Sequence, residues 1–500
     1  MQRHSALRRT GTTILVLVLL AGLALAQRTP VLLVSIDGFR NDYLDRTDLY
    51  DAPNLRALAA TGVRAEALIP VFPSKTFPNH YAIVTGLYPA HNGIVGNRML
   101  DPVTHERFSM GDRKAVSDAI WWGGEPIWVT AEKQGCHAAP IFWPGSEAAI
   151  EGVRPTHWLA YDEKLPNARR VQMALDYLSE VPQPCYVSLY FSDVDTAGHH
   201  FGPEGRETRD AVHSVDATIG ELVNGLKQRG LWGKVNLIIV SDHGMASTPN
   251  SQRLVFDDYL DPATVEFVDG SPLFALSARD GNQAALVERL NRIPHLHAWL
   301  RENLPARWHY AGNPRIAPVL ALADEGWSFD TREFLSRRKT LDLGNHGFDN
   351  DLESMRAIFI ATGPGFHAGT HLPAFENINI YSLLAELLGL KPAPNDGHPE
   401  VFAPALVHVV FSYFRPCITG KPGFALSAST FVQITATPCA AWSNKQETRA
   451  DRAAEIFFHS GLRKFAPGRA RIASNETNRD SPCGRSPQGL SLWQRGSCAL

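Results

Sequence analysis

Three carboxylates and three histidines in this 500-residue chain have the types and spacing to hold metal. Asp195-Thr-Ala-Gly-His199 sets a carboxylate and an imidazole four positions apart, which brings both to one face if the segment is helical; Gly198 makes a tight loop equally possible. Asp242-His243-Gly244 adds two more ligand types beside a glycine that permits close backbone approach. His346 lies in Gly344-Asn345-His346-Gly347, a loop of small residues that can bring an imidazole to a metal uncrowded, and Asp37 completes the set. Such oxygen and nitrogen donors suit zinc, and a two-metal site bridged by a hydroxyl or phosphate needs this number of ligands. His200 competes with its neighbour His199 for the role, whereas His80, His91 and His213 read as ordinary satisfied histidines.

The segment Phe72-Pro-Ser-Lys75-Thr76-Phe77-Pro-Asn-His80 is fenced by two prolines and leads into a helix-like run from His80 to Leu87. That pattern predicts a rigid turn feeding a helix N-terminus. Taken alone it is a polar surface turn with an exposed Lys75; beside the metal-ligand set it becomes ground for an anion.

The elements that must position these residues alternate. Strands are predicted at 31–36, 186–191, 235–240 and 356–361, and helices at 53–60, 208–228 and 381–388. Strand followed by helix, repeated, predicts an α/β fold with a mostly parallel sheet and helices on both faces. In such sheets the functional loops gather at the carboxyl ends of the strands, and Asp37, Asp195, Asp242 and His243 each fall just past a predicted strand. A smaller α+β insertion is expected at about 251–338, with strands at 264–268 and 316–322 and a helix at 283–292. Residues 27–405 are read as one catalytic domain. The tail from 406 to 500 changes abruptly in composition and is assigned no fold; a partner-binding appendage, a disordered extension and a stretch translated out of frame are the readings open to it.

Bulk properties narrow the class. A composition of 44% hydrophobic and 20% charged residues with a net charge of -3 describes a globular chain, without the basic stripe that binding a nucleic-acid polymer requires. Arg3, Arg8 and Arg9 precede an apolar run ending in Ala24-Leu-Ala26, the pattern of a cleavable secretory signal over residues 1–26. The run is short for a membrane anchor, and no later segment is long enough to span, so a periplasmic or secreted location is expected. Cys136 and Cys185 could be bridged there or be buried free thiols.

The blocks Ser35-Ile-Asp37-Gly, Phe72-Pro-Ser-Lys-Thr76-Phe-Pro-Asn-His80, Asn92-Gly-Ile-Val-Gly-Asn97, Asp193-Val-Asp195-Thr-Ala-Gly-His199, Ser241-Asp-His243-Gly-Met245 and Gly344-Asn-His346-Gly347 together resemble the nucleotide pyrophosphatase/phosphodiesterase family of the alkaline phosphatase superfamily. The likeness runs from about Pro30 to Asn395. It implies an alkaline-phosphatase-like fold and two Zn2+ ions per chain, one held by Asp37, Asp242, His243 and the Thr76 oxygen, the other by Asp195, His199 and His346. It implies Thr76 as the nucleophile and Asn97 as the amide on a phosphate oxygen. Phe77 and Tyr190 match positions that sandwich a nucleobase, with Tyr161 nearby, although core packing is an equal reading for Tyr190. The expected reaction is hydrolysis of nucleotide phosphodiester or pyrophosphate bonds to a nucleoside 5'-monophosphate through a covalent phosphothreonine. Lipid or choline-type phosphodiesters, and phosphate monoesters, are the competing substrates.

Overall fold

A computed structural model describes residues 28–407; the predicted leader and all but the first two residues of the tail lie outside the described residues. The central sheet has seven strands: β1 (Val31–Ile36), β2 (Val63–Ala65), β3 (Ala138–Pro140), β4 (Tyr186–Phe191), β5 (Asn236–Val240), β6 (Phe359–Thr362) and β7 (Thr370–Leu372), in the spatial order β7-β2-β6-β5-β1-β4-β3. β1 pairs in parallel with both β4 and β5, and β3 with β4. β6 runs antiparallel to both its neighbours. The sheet is therefore mostly parallel but mixed, and the expected strand at 356–361 begins three residues later and points the other way. Its apolar text is as continuous as that of a parallel strand because it too is buried on both faces, so composition does not carry direction.

The alternation within β1 shows why two helical layers are needed. Val31 and Leu33 enter one core with the helices α2 (Thr76–Thr85) and α6 (Asn379–Leu387), while Leu32, Val34 and Ile36 enter another with α1 (Pro53–Thr61), α3 (Asn167–Tyr177) and α5 (Arg206–Gln228). The predicted helix at 208–228 is α5, which starts two residues earlier. It is preceded by a separate helix, α4 (Asp193–Phe201), that ends at Gly202 with φ +78°. Among the described residues no helix is long and apolar enough to cross a membrane.

Between β5 and β6 a second sheet forms from Val265–Asp269, Leu273–Ala278, Val319–Ala323 and Leu296–Leu300, all antiparallel and in that spatial order, with the helix Gln283–Leu290 packed on it around a core of its own. Cys136 and Cys185 are disulfide-bonded, with Cα atoms 5.9 Å apart, and join the approaches to neighbouring β3 and β4.

Candidate active site

Each site residue leaves a strand or helix end on the same edge of the sheet. Asp37 directly follows β1, Asp242 and His243 follow β5 by two and three residues, and Asp195 and His199 lie one turn apart on α4. The turn after β1 touches α4 so closely that a Cβ on Gly38, whose φ is +67°, would lie 2.8 Å from the Asp195 Cα. The His346 loop meets α4 in the same way: a Cβ on Gly344 would lie 2.3 Å from the Gly198 carbonyl oxygen. These two glycines let three chain segments converge at backbone distance.

Thr76 is the first residue of α2, with Lys75 as its extended N-cap. The helix therefore begins four residues before the predicted run, with Pro78 inside its first turn, where the missing N–H costs nothing. All ten residues of α2 are buried. The Thr76 hydroxyl lies 3.3 Å from His243 Nε2. Around it, His243 Nε2 is 3.4 Å from Asp37 Oδ1 and 3.0 Å from Asp242 Oδ2. A second group adjoins, in which Asp195 Oδ1 is 3.5 Å from His199 Nε2 and 3.6 Å from His346 Nε2. The His243 and His346 rings stack at 3.6 Å, which places the two groups side by side. All seven expected metal-site residues are thus brought together. The inner group is closed, with Asp37, Asp242 and His243 at most 2% exposed, whereas Asp195 and His199 are 16% and 25% exposed and open to solvent.

The donor set fits metal on two independent counts. Each of the three imidazoles gives its Nδ1 proton to a backbone carbonyl: His243 to Gly244 at 2.9 Å, His199 to Gly344 at 3.0 Å and His346 to Ser74 at 2.8 Å. That makes Nδ1 the donor and turns the three Nε2 atoms inward, the arrangement ligating histidines use. In addition, one oxygen each of Asp37, Asp195 and Asp242 is buried without a hydrogen-bond partner, an expensive state for a carboxylate unless a cation meets it. Asp37 is accordingly raised well above the usual carboxylate range by burial and by its neighbours Asp242 and Asp195. Burial works against ionising Asp242 as well, but His243 and His80 outweigh it and hold the group well below the usual range. Burial, with His243 and His199 alongside, pushes His346 down and keeps it neutral.

Several neighbours differ from their sequence reading. His80 is fully buried within the site, one helical turn after Thr76: its Nδ1 lies 2.9 Å from the Thr76 carbonyl and 3.2 Å from Asp242 Oδ2, and its Nε2 lies 2.9 Å from the Ser35 hydroxyl. With both nitrogens engaged by Thr76 and Ser35, it braces the start of α2 beside Asp242. The i,i+4 spacing to Thr76 was the available signal. His200 instead faces Asp342 at 3.3 Å, at the surface. Lys75 is buried, not exposed, and its ammonium pairs with Asp269 at 2.6 Å.

The expected substrate residues line the same region. Asn97 Oδ1 accepts the Phe77 N–H at 2.9 Å, which leaves the Asn97 amide protons facing away from that bond. Phe77 and Tyr190 are each 9% exposed. Tyr190 donates its hydroxyl to Asp37 Oδ2 at 2.6 Å, with its ring edge-on to His80; it braces a metal-site carboxylate, a role its position in a strand pattern did not reveal. Tyr161 is half-buried, with its ring 6.2 Å from that of Tyr190.

Residues 31–349 match the family model for type I phosphodiesterase / nucleotide pyrophosphatase. The chain is 39% identical over 384 residues to a venom phosphodiesterase of Naja atra, covering 74% of this chain and 45% of that protein. It is 38% identical over 372 residues to the bis(5'-adenosyl)-triphosphatase ENPP4 of Bos taurus, covering 73% of this chain and 80% of that one. Among solved structures, murine ectonucleotide pyrophosphatase/phosphodiesterase 5, as an inactive threonine-to-alanine variant with AMP, superposes with a TM-score of 0.72 at 34% identity, covering 76% of this chain and all of that one. The chain spans under half the length of the venom relatives it matches. With an alkaline-phosphatase-like α/β fold and this site, the chain belongs to the type I phosphodiesterase/nucleotide pyrophosphatase family.

Proposed function

We propose that this protein is an exported phosphodiesterase that cleaves nucleotide phosphodiester or pyrophosphate bonds to a nucleoside 5'-monophosphate, with Thr76 as the nucleophile. The observation that carries this reading is the Thr76 hydroxyl at the head of a buried helix, 3.3 Å from His243 Nε2, among three inward imidazole Nε2 atoms and three unpartnered carboxylate oxygens. Asp37, Asp242, His243 and Thr76 would hold one Zn2+, and Asp195, His199 and His346 the other. Such ions lower the pKa of a bound hydroxyl and neutralise phosphate charge.

The chain's own groups supply the rest. The Thr76 Oγ attacks phosphorus in line, the bond to the leaving oxygen breaks, and hydrolysis of the Thr76 diester then releases the monoester. The amide protons of Asn97 and the N-terminus of α2 are donors for the charge on the phosphoryl oxygens. Tyr190 would hold Asp37 in place for that geometry, and His80 the start of α2 that carries Thr76. We assign the aromatic faces of Phe77, Tyr161 and Tyr190 to the nucleobase, which they would grip without strict base choice. The threonine-to-alanine change in the inactive mouse relative supports the nucleophile assignment, and the names of the bovine and snake relatives support the reaction class. Residues 27–405 would form the catalytic unit, with 251–338 as its insertion.

The test is turnover of the nitrophenyl ester of thymidine monophosphate against a choline phosphodiester and a phosphate monoester. The nucleotide ester should be fastest, and a chelator should abolish its hydrolysis until zinc is restored. Preference for either competitor, or activity indifferent to chelation, contradicts the reading.

A further inference from the structure

One buried cation takes no part in the site described so far. Arg170, on α3, is 2% exposed, and among the described residues no carboxylate pairs with it. Its guanidinium donates only to backbone carbonyls: Nε to Leu165 at 2.9 Å, one terminal nitrogen to Tyr190 at 2.9 Å, and the other to Glu163 at 3.3 Å and Asp162 at 3.5 Å. The guanidinium carbon also lies 5.0 Å from the centre of the Phe142 ring. A buried charge without a counter-ion is costly, and only a planar group with five donors can meet this many carbonyls at once.

The sheet explains why a donor is needed there. Carbonyls alternate sides along β4. That of Phe191 faces β1 and accepts the Asp37 N–H at 2.9 Å, while that of Ser188 faces the other way and accepts the Ile141 N–H at 2.9 Å. The Tyr190 carbonyl faces the same side as that of Ser188, but β3 has ended at Pro140, opposite Ser188, and the chain turns off at Phe142 with φ +63°. Arg170 supplies the donor that a longer β3 would have given. A left-handed backbone is uncommon for so bulky a residue as phenylalanine, and such residues collect at functional sites. Here it sets the Phe142 ring against both Arg170 and Tyr161, whose ring meets it edge-on at 5.3 Å. Arg170 thus ties together β4 at Tyr190, the segment 162–165 that follows Tyr161, and the ring on which Tyr161 rests.

Resting on the nucleotide reading above, we propose that Arg170 is a positioning residue for the nucleoside half of the substrate, acting by setting the Tyr161 ring against Tyr190. It makes no hydrogen bond to a metal-site residue. Tyr190 keeps its own bond to Asp37 and its backbone pairing with β1, so loosening the Arg170 side frees Tyr161 before it frees the carboxylate. The residue therefore governs choice among diesters by the group retained on phosphorus, with the reacting atoms left alone.

The experiment compares kcat/KM for the nitrophenyl ester of thymidine monophosphate with that for methyl nitrophenyl phosphate, which has the same leaving group and no nucleoside. The proteins are the unmodified full chain, Arg170→Lys, Tyr161→Ala and the double variant. Both substrates are read in one preparation, so the folded fraction cancels in the ratio. A stacked base is worth about tenfold or more in affinity. The ratio should accordingly fall about tenfold in Arg170→Lys, through KM, with a much smaller change for the methyl ester. Tyr161→Ala should give a similar fall and the double variant little more, because one residue acts through the other. If the lysine variant is insoluble, Phe142→Leu, which keeps the carbonyl bonds, should move the ratio in the same direction. An unchanged ratio, equal losses on both substrates, or losses that multiply in the double variant overturn the assignment. An unmodified protein with no preference for the thymidylate ester would instead overturn the nucleotide reading.

Discussion

Replacing Asp269 by Asn would test how the nucleophile segment is held. The Lys75 ammonium is 7% exposed and the Asp269 carboxylate 11%, at 2.6 Å; among the described residues the only other acceptors on Lys75 are the carbonyls of Leu273 at 3.3 Å and Gly270 at 3.4 Å. The stem of Lys75 packs on the loop carrying His346, since a Cβ on Gly347 would lie 3.1 Å from Lys75 Cε. Removing one partner of a buried pair strands the other charge and costs about 3–5 kcal/mol, against a total stability on the order of 5–15 kcal/mol. Guanidinium unfolding should show that loss in Asp269→Asn and a similar one in Lys75→Met. The double variant Lys75→Met/Asp269→Leu should recover part of it, because it leaves no orphaned charge. Activity should fall with stability in the single variants, since Lys75 stands at the N-cap position directly before Thr76. A loss below about 1 kcal/mol, the value of an exposed pair, would refute the claim that this bridge clamps the site to the second sheet.

Two further outcomes concern stability. The Cys136–Cys185 bridge closes a loop of 49 residues, for which the chain-entropy model gives about 4 kcal/mol; the double Ser variant should unfold at correspondingly lower denaturant, and an unchanged midpoint would mean that the bridge constrains nothing. Burial works against ionising Asp349, but the two-point grip of Arg307 outweighs it and holds the carboxyl below its usual range. A depressed carboxylate stabilises the fold above the unfolded pKa of about 3.9 and loses that contribution as pH falls through its folded pKa. Asp349→Asn should therefore be less stable than the unmodified chain near neutrality, by under about 1 kcal/mol because Arg307 is 45% exposed. The gap should close in acid, and a gap that widened there would reverse the assigned sign.

What the sequence made legible was local. The run 31–36 is β1 without adjustment because a strand buried on both faces leaves a continuous apolar signature. The four-residue spacing of Asp195 and His199 resolves as one turn of α4, although Gly198 left a loop open. Contacts between distant segments left no such trace. Lys75 and Asp269 are 194 positions apart, and Lys75 reads as a surface residue until its partner is known. His80 was within reach, being one turn after Thr76, but a lone histidine on a helix is commonly only a satisfied polar group. The direction of β6 is a property of topology, which periodicity does not encode.

The central claim is that Thr76 forms the covalent bond to phosphorus. Acid quenching during turnover of the nitrophenyl ester of thymidine monophosphate, followed by peptide mass mapping, measures this directly. A thymidylyl adduct should appear on the peptide containing Thr76 and vanish in Thr76→Ala, together with turnover. An adduct on another residue, or a Thr76→Ala variant that still turns over, would contradict it.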